Sequence, residues 1–283
     1  MFSKIRSLIF KVDPEKAHTL AIKSLKFNLV PNVFDENKND PIFQTKIFDK
    51  DLDNPIGMAA GFDKNAEVYN SLFKLGFGFV EVGTITPLKQ YGNPKPRVFR
   101  LVEDEALINR LGFNNQGAEI IKQRTKRNKK LGLLGINVGP NKDSSDRLND
   151  YLIGLKTFYD DADYITINIS SPNTENLRTF HEGDKLQDLL KSIEEERKNL
   201  KSNIPIAVKV SPDISEDQVN QISGILLEHE IKAIIVSNTS EATRDKLSNI
   251  QRHQKGGLSG KPIEKKSNVL INKFYKLLKG KIK

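Results

Sequence analysis

The segment YITINISSPNT, residues 164–174, decides the fold. It opens as a strand, Tyr164–Ile169, and breaks at Ser171-Pro172-Asn173, a turn by composition. The strand delivers Asn168 inward just before it ends. Five further runs of the same kind occur along the chain: Ile56–Ala60, Phe79–Val82, Leu134–Val138, Ile206–Val210 and Ala233–Ser237. Helical patterns lie between and after them, at 64–75, 114–130, 146–160, 183–201, 215–230 and 263–279. Fully apolar strands that alternate with helices predict a parallel sheet covered by helices. A doubly wound sheet and a (β/α)8 barrel both fit that alternation. The strand ends favour the barrel. Nearly every run finishes in polar residues or glycine: Gly61-Phe62-Asp63-Lys64, Gly83-Thr84, Asn137, Asn168, Lys209 and Ser237-Asn238-Thr239. A barrel gathers its site from many strand ends, whereas a doubly wound sheet concentrates it at one switch point.

Two stretches depart from the pattern. Residues 84–113 hold Pro87, Pro94 and Pro96 and a strand-like Val98–Val102, and read as an excursion over the barrel mouth. Residues 1–30 read as two short helices. Phe2, Ile5, Leu8, Ile9 and Val12 space the first; Asp13 as N-cap and Pro14 at the first helical position start the second. Residues 31–51 are rich in Pro, Asn and Asp and read as a linker. The expected division is therefore 1–40, a helical domain with its linker, and 41–283, the barrel domain.

Composition narrows the function. The chain of 283 residues has no Cys, which excludes disulfides, thiolate metal sites, iron–sulfur clusters and a cysteine base. No metal is expected. No uncharged run exceeds 11 residues, against the roughly 20 a spanning helix needs. The net charge of +9 is concentrated at the ends: residues 261–283 carry eight Lys against one Glu. These lysines sit at the two ends of the chain, so a nucleic-acid stripe is not expected. The strand ends supply lysines and asparagines, among them Asn109, Asn114, Asn137, Asn168 and Asn238. Asn offers both donor and acceptor, which suits a planar heterocycle with alternating N–H and C=O groups.

Ten ordered motifs resemble one family. They are DPEKAH (13–18), NPIGMAAGFDKN (54–65), EVGTITP (81–87), GNPKPRVFRL (92–101), INRLGFNNQG (108–117), GINVGPNKD (135–143), INISSPNTENLR (167–178), PIAVKVSPD (205–213), SNT (237–239) and GGLSGKP (256–262). The chain resembles the membrane-associated, quinone-dependent class of dihydroorotate dehydrogenases. The resemblance implies an FMN-binding TIM barrel that oxidises dihydroorotate to orotate in de novo pyrimidine (UMP) biosynthesis and passes the electrons to a quinone. It implies Ser171 as the base, in the position where the soluble class has Cys. A relay of water and a threonine hydroxyl would serve that serine.

Further roles follow by motif. Ala60, Gly61, Phe62, Asp63 and Lys64 would lie along the cofactor, and Thr84, Asn137, Asn168, Lys209, Ser237 and Gly260 would complete its contacts. Lys64 would also meet the substrate carboxylate. Asn109, the backbone of Arg110, Leu111, Gly112 and Phe113, and the side chains of Asn168, Asn173, Asn238 and Thr239 would hold the rest of the substrate. His18 and Arg100 would line a quinone tunnel beneath the N-terminal helices, whose Lys/Arg flanks suit peripheral association with anionic lipid. The expected location is the cytoplasmic face of the inner membrane if the cell is bacterial. Residue 237 is Ser where the family usually has Thr. The family pattern continues past the last helix with two more strand–helix units that grip the FMN phosphate, so this sequence, ending at Lys283, is expected to show six strands of eight. Two other readings stand beside this one. One is an inactive fragment or pseudoenzyme of the same family, left with membrane or partner binding alone. The other is a non-flavin aldolase-type barrel using Lys209 or Lys64 as a Schiff base.

Overall fold

The computed structural model describes residues 2–29, 40–242 and 244–282. Residues 31–39 of the expected linker lie outside them. Helices α1 (Phe2–Ile9) and α2 (Pro14–Lys26) form the N-terminal pair. Helix α2 starts where the sequence places it, with the Asp13 carboxylate accepting the Lys16 N–H at 2.9 Å and Pro14 first in the helix. The rest of the expected linker is folded, not open chain. A 3-10 turn (Pro41–Phe43) leads into a hairpin of β1 (Thr45–Ile47) and β2 (Lys50–Leu52).

The body then runs β3 (Gly57–Met58), α3 (Tyr69–Lys74), β4 (Phe79–Ile85), β5 (Val98–Leu101), β6 (Ala106–Asn109), α4 (Ala118–Arg127) and β7 (Leu133–Val138). It continues with α5 (Arg147–Phe158), β8 (Tyr164–Asn168), α6 (Gly183–Asn199), β9 (Ile206–Val210), α7 (Glu216–Glu228), β10 (Ala233–Val236), β11 (Gly257–Gly260) and α8 (Lys261–Leu278). Six strands pair in parallel in the order β3-β4-β7-β8-β9-β10, which is their order along the chain. A doubly wound sheet reverses its order at a switch point. Here nothing reverses, and the winding is that of an α/β TIM-type barrel.

Two apolar cores follow from the period-2 alternation of the strands. Val80, Val82, Ile136, Ile165, Ile167 and Val208 face the helices and are buried with Leu155, Phe158, Leu189 and Ile222. Leu133, Tyr164, Ala207 and Ala233 face the barrel axis, and Leu52 of the hairpin packs on them. The hairpin thus plugs the end of the barrel away from the polar strand ends. Gly135 makes room for this inner core: a Cβ there would lie 2.1 Å from the Tyr164 ring.

The strands are not fully apolar as expected. Glu81, Asn137, Thr166, Asn168 and Lys209 are all buried on them. The 84–113 excursion is also more ordered than the sequence suggests. It contains the antiparallel pair β5/β6, and β11, read from sequence only as a glycine motif, pairs with β6 to complete a three-stranded sheet. Helix α2 packs against β5 on this sheet.

Candidate active site

The C-terminal strand ends surround a cavity of about 360 Å³. Ala60, Gly61 and Lys64 border it from the turn after β3, Thr84 from β4, Asn168 from β8 and Lys209 from β9. Ser237, Asn238 and Thr239 follow β10, and Asn109, Leu111, Gly112 and Phe113 lie at and after the end of β6. The structure therefore brings together most of the residues the sequence singled out. The turn after β3 is locked onto β4: Gly61 N–H donates to the Gly83 carbonyl at 2.8 Å, and Gly83 N–H donates to the Asp63 carbonyl at 3.0 Å. Gly61 has φ +113°, a conformation that L side chains rarely adopt.

Below the cavity lies a continuous polar chain. Thr84 Oγ1 donates to Asn137 Oδ1 at 2.6 Å, and Asn168 Nδ2 donates to Thr84 Oγ1 at 2.9 Å. Asn168 Oδ1 accepts from the Ser170 hydroxyl at 2.8 Å and its N–H at 3.2 Å, and Ser170 Oγ accepts from Asn238 Nδ2 at 2.9 Å. Asn137 is fully buried and lies beneath the cavity rather than on its wall.

Ser171 follows at the start of the loop after β8, 5% exposed and on the cavity wall. Its Oγ accepts the Asn173 N–H at 3.2 Å, and among the described residues no His or carboxylate bonds to it. Asn173 Nδ2 donates to the Asn109 carbonyl at 3.2 Å, tying this loop to β6. Arg178 holds the same loop from behind, donating to the Ser170 carbonyl at 3.3 Å and the Thr239 carbonyl at 3.1 Å. His181, in the 3-10 turn Leu177–His181, accepts the Ser211 N–H on Nε2 at 3.2 Å. Its Nδ1–H donates to the Arg178 carbonyl at 2.9 Å. Burial pushes this histidine down to about 4.

Two cations face the cavity without an ion-pair partner among the described residues, Lys64 and Lys209. Burial, then the nearby charges of Arg97 and Lys209, bring the Lys64 amine down to about 8. Thr239 Oγ1 is buried there with no hydrogen-bond partner among the described residues. Two unpaired ammonium groups, an orphaned hydroxyl and a glycine turn form a donor-rich lining that fits an anionic, oxygen-bearing flat ring.

Some expected contacts are placed elsewhere. Asp63 turns away from this cavity: its carboxylate accepts the N–H groups of Asn65, Glu67 and Val68 at 3.3, 2.9 and 2.7 Å, and burial raises its pKa. The Arg110 guanidinium, which is no part of the expected backbone contact, stacks 4.6 Å from the Phe99 ring centroid and donates to the Pro96 carbonyl at 2.8 Å, outside the cavity. Gly260 begins α8 with φ +101°, where a Cβ would lie 2.4 Å from the Glu105 carbonyl oxygen; its neighbour Ser259 is the residue on the wall. Phe62 borders a second cavity instead. Glu81, Ser170, Val98, Leu107 and Ile263 were not singled out from the sequence. Glu81 sits inside the EVGTITP motif, and an acid in an apolar strand was the signal available.

The second cavity, about 490 Å³, lies between α2 and the β5/β6 sheet. His18, Ile22, Phe62, Arg100 and Leu107 border it. His18 Nε2 donates to the Phe62 carbonyl at 2.7 Å, and the two rings meet edge to face at 5.3 Å. Arg100 donates to the Val12 carbonyl at 2.7 Å and lies 4.8 Å from the Phe10 ring centroid. Glu15 pairs with Arg97 at 2.6 Å. Gly61, Lys64, Val98, Leu107 and Leu111 border both cavities, so a single layer of residues separates them.

A model of the family described as dihydroorotate dehydrogenase matches residues 42–283. The dihydroorotate dehydrogenase (quinone) of Buchnera aphidicola subsp. Schizaphis graminum is 45% identical over 289 aligned residues, covering 98% of this chain and 85% of that protein. The protein of the same name from Rhizobium rhizogenes is 46% identical over 271 residues, covering 94% of this chain and 74% of its own. Among solved structures, DHODH of Eimeria tenella in complex with ferulenol aligns with a TM-score of 0.90 at 35% identity, over 95% of this chain and 78% of that one.

Proposed function

The chain belongs to the dihydroorotate dehydrogenase family, in its quinone-dependent class, and on that premise we propose how its two cavities divide the reaction. The reaction is the oxidation of dihydroorotate to orotate with a quinone as electron acceptor, a step of pyrimidine biosynthesis. The substrate loses a proton from C5 and a hydride from C6, and a ring double bond forms. FMN, when bound, supplies the two-electron acceptor for that hydride.

The observation that carries the assignment is Ser171. Its hydroxyl lies on the same wall as two ammonium groups and the Asn109, Asn173 and Asn238 amides. Lys64 pairs with the substrate carboxylate. Asn109, Asn173, Asn238, Thr239 and the backbone of residues 110–113 orient the substrate ring by hydrogen bonds. Ser171 Oγ takes the C5 proton and gives it to a relay of water and a threonine hydroxyl. The Asn173 N–H, already bonded to Oγ at 3.2 Å, supports the negative charge that develops there. Thr84, Asn168 and Lys209 would hold the FMN ring, and Ala60, Gly61 and Ser237 border the same cavity. Lys209 would supply positive charge beside that ring.

The second cavity takes the quinone, entering past His18 and Arg100. Helices α1 and α2 form the membrane-facing part of residues 1–40. Leu8, Leu20 and Phe27 expose 67%, 56% and 69% of their surface among lysines and arginine, a surface suited to the headgroup region. No helix of the described residues is long and apolar enough to cross a membrane. On this reading the protein sits peripherally, on the cytoplasmic face of the inner membrane if the cell is bacterial.

The test is anaerobic. Protein supplied with FMN is mixed with dihydroorotate, and the yellow absorbance should bleach. Added quinone should restore it. No bleaching at any pH between about 6 and 9 would refute the assignment.

A further inference from the structure

Glu81 is 3% exposed on β4 and faces the barrel axis directly beneath Thr84. Its carboxylate accepts three hydrogen bonds. Asn137 Nδ2 donates to Oε1 at 2.9 Å; the Tyr164 and Thr166 hydroxyls donate to Oε2 at 3.0 and 2.8 Å. A carboxylate oxygen accepts and does not donate, so the Asn137 amide is turned with nitrogen down and oxygen up. The upturned Oδ1 takes the Thr84 proton at 2.6 Å. Thr84 Oγ1 then accepts from Asn168, whose Oδ1 accepts from the Ser170 backbone N–H at 3.2 Å. A backbone N–H only donates. The chain is therefore pinned at both ends by groups that cannot reverse, and every hydrogen in between has one direction. Thr84 gives its single proton downward and keeps a lone pair for the cavity.

We propose that Glu81 is a positioning residue for the cofactor: it fixes the direction of this hydrogen-bond chain and so makes Thr84 an acceptor, not a donor, toward the bound ring. The proposal rests on the reading that FMN occupies the first cavity. An amide at position 81 would release the lower end of the chain, leaving only the 3.3 Å bond from Asn168 Nδ2 to hold the Asn137 oxygen up. Its NH2 could face Asn137, the Asn137 amide could turn over, and the Thr84 proton would be released toward the ring.

The test compares Glu81→Gln with the double variant Glu81→Gln/Asn137→Asp. In the double variant the new amide nitrogen at position 81 donates to the new carboxylate at position 137. The other oxygen of that carboxylate still accepts from Thr84, and the original direction returns. FMN titration by fluorescence quenching should show Glu81→Gln weakened by about tenfold, the scale of one misdirected buried hydrogen bond, and the double variant recovered to within about threefold of wild type. Tyr164→Phe and Thr166→Val each remove one donor without reversing anything. They should leave affinity within about threefold. Loss equal to that of Glu81→Gln would mean that Glu81 only stabilises the barrel, and would overturn the proposal. Were Glu81→Gln itself unable to fold, a loss of about tenfold or more in these two variants would overturn it equally.

A second readout needs no flavin. In the flavin-free protein, the side-chain amide NMR signal of Asn168 should move in Glu81→Gln and return in the double variant. A signal that stays in place would refute the proposal. A wild-type protein that took up no FMN would instead refute the functional reading, and the NMR comparison would still decide the direction of the chain.

Discussion

Ser171 and Lys64 stand on the same wall but answer to different variables. Ser171→Ala would remove the proposed proton acceptor and leave the ring contacts in place. FMN binding should persist, while flavin reduction by dihydroorotate in a single turnover should fall by at least about a hundredfold. Ser171→Cys should retain part of the rate, since a thiol ionises more readily. Lys64 gives a pH effect. Its amine is held down to about 8 against an ordinary 10.5, so it loses its charge as pH rises past 8. Affinity for the anionic product orotate should be full below that value and fall by up to about tenfold per pH unit above it. The stability effect has the opposite sense. Between the two values the unfolded chain holds the extra proton, so this group alone makes stability rise with pH. Orotate titrations from about pH 7 to 10 on wild type and Lys64→Met check this; a flat profile for wild type would refute the carboxylate role.

Between elements, His181 is the most exacting joint. It bonds the turn behind the Ser171 loop to Ser211 at the end of β9, one residue past the strand that carries Lys209. Both bonds require the neutral ring with the proton on Nδ1. Burial lowers its pKa from 6.5 to about 4, and unfolding restores the ordinary value. The unfolded state therefore binds the proton first as pH falls. The contribution is complete above pH 6.5 and declines toward pH 4, by roughly 3 kcal/mol at most. His181→Gln can keep both bonds without a charge change. Urea unfolding from about pH 7 to 4.5 should show a shallower decline for the variant than for wild type. The strands themselves were legible in the sequence, because apolar runs with a period of two and turn residues at their ends leave few other outcomes. The joints were not. β6 and β11 are four-residue strands that pair across about 150 positions, and nothing local in Ala106–Asn109 or Gly257–Gly260 encodes that partnership. The hairpin at 45–52 looked like linker because its partners, Leu133, Tyr164 and Ala207, lie far along the chain.

Across the whole molecule, on the proposed function, the two half-reactions fall to the two cavities and so to different parts of the chain. Every motif for ring and substrate lies from residue 54 onward, while His18 and the exposed apolar residues belong to the helix pair. Deleting residues 1–40 should leave bleaching of the flavin by dihydroorotate within about threefold of wild type, while turnover with a long-chain quinone and binding to anionic vesicles should drop at least about tenfold. Equal loss of both half-reactions would mean that the helices are structural parts of the barrel. Residue types at strand ends carried the reading of the site as far as the asparagines, whereas the roles expected of Ser171 and Lys64 came from the resemblance of the motifs around them. The sequence did not reveal which way a side chain turned. Asp63 and Lys64 are neighbours, yet one caps the next turn and the other faces the cavity; that difference depends on the N–H groups of residues 65, 67 and 68.

The single layer between the cavities also constrains how the protein can change under selection. Val98, Leu107 and Leu111 each have two clients, one on either face. On the proposed assignment, a replacement there that expelled an inhibitor from the helix side would also reshape the substrate side, and resistance gained that way would carry a growth cost whenever pyrimidines must be made from scratch. Thr19 and Ile22 border the helix side alone. Resistance alleles that persist after the drug is withdrawn should therefore collect at Thr19 and Ile22, and those at Leu107 should revert.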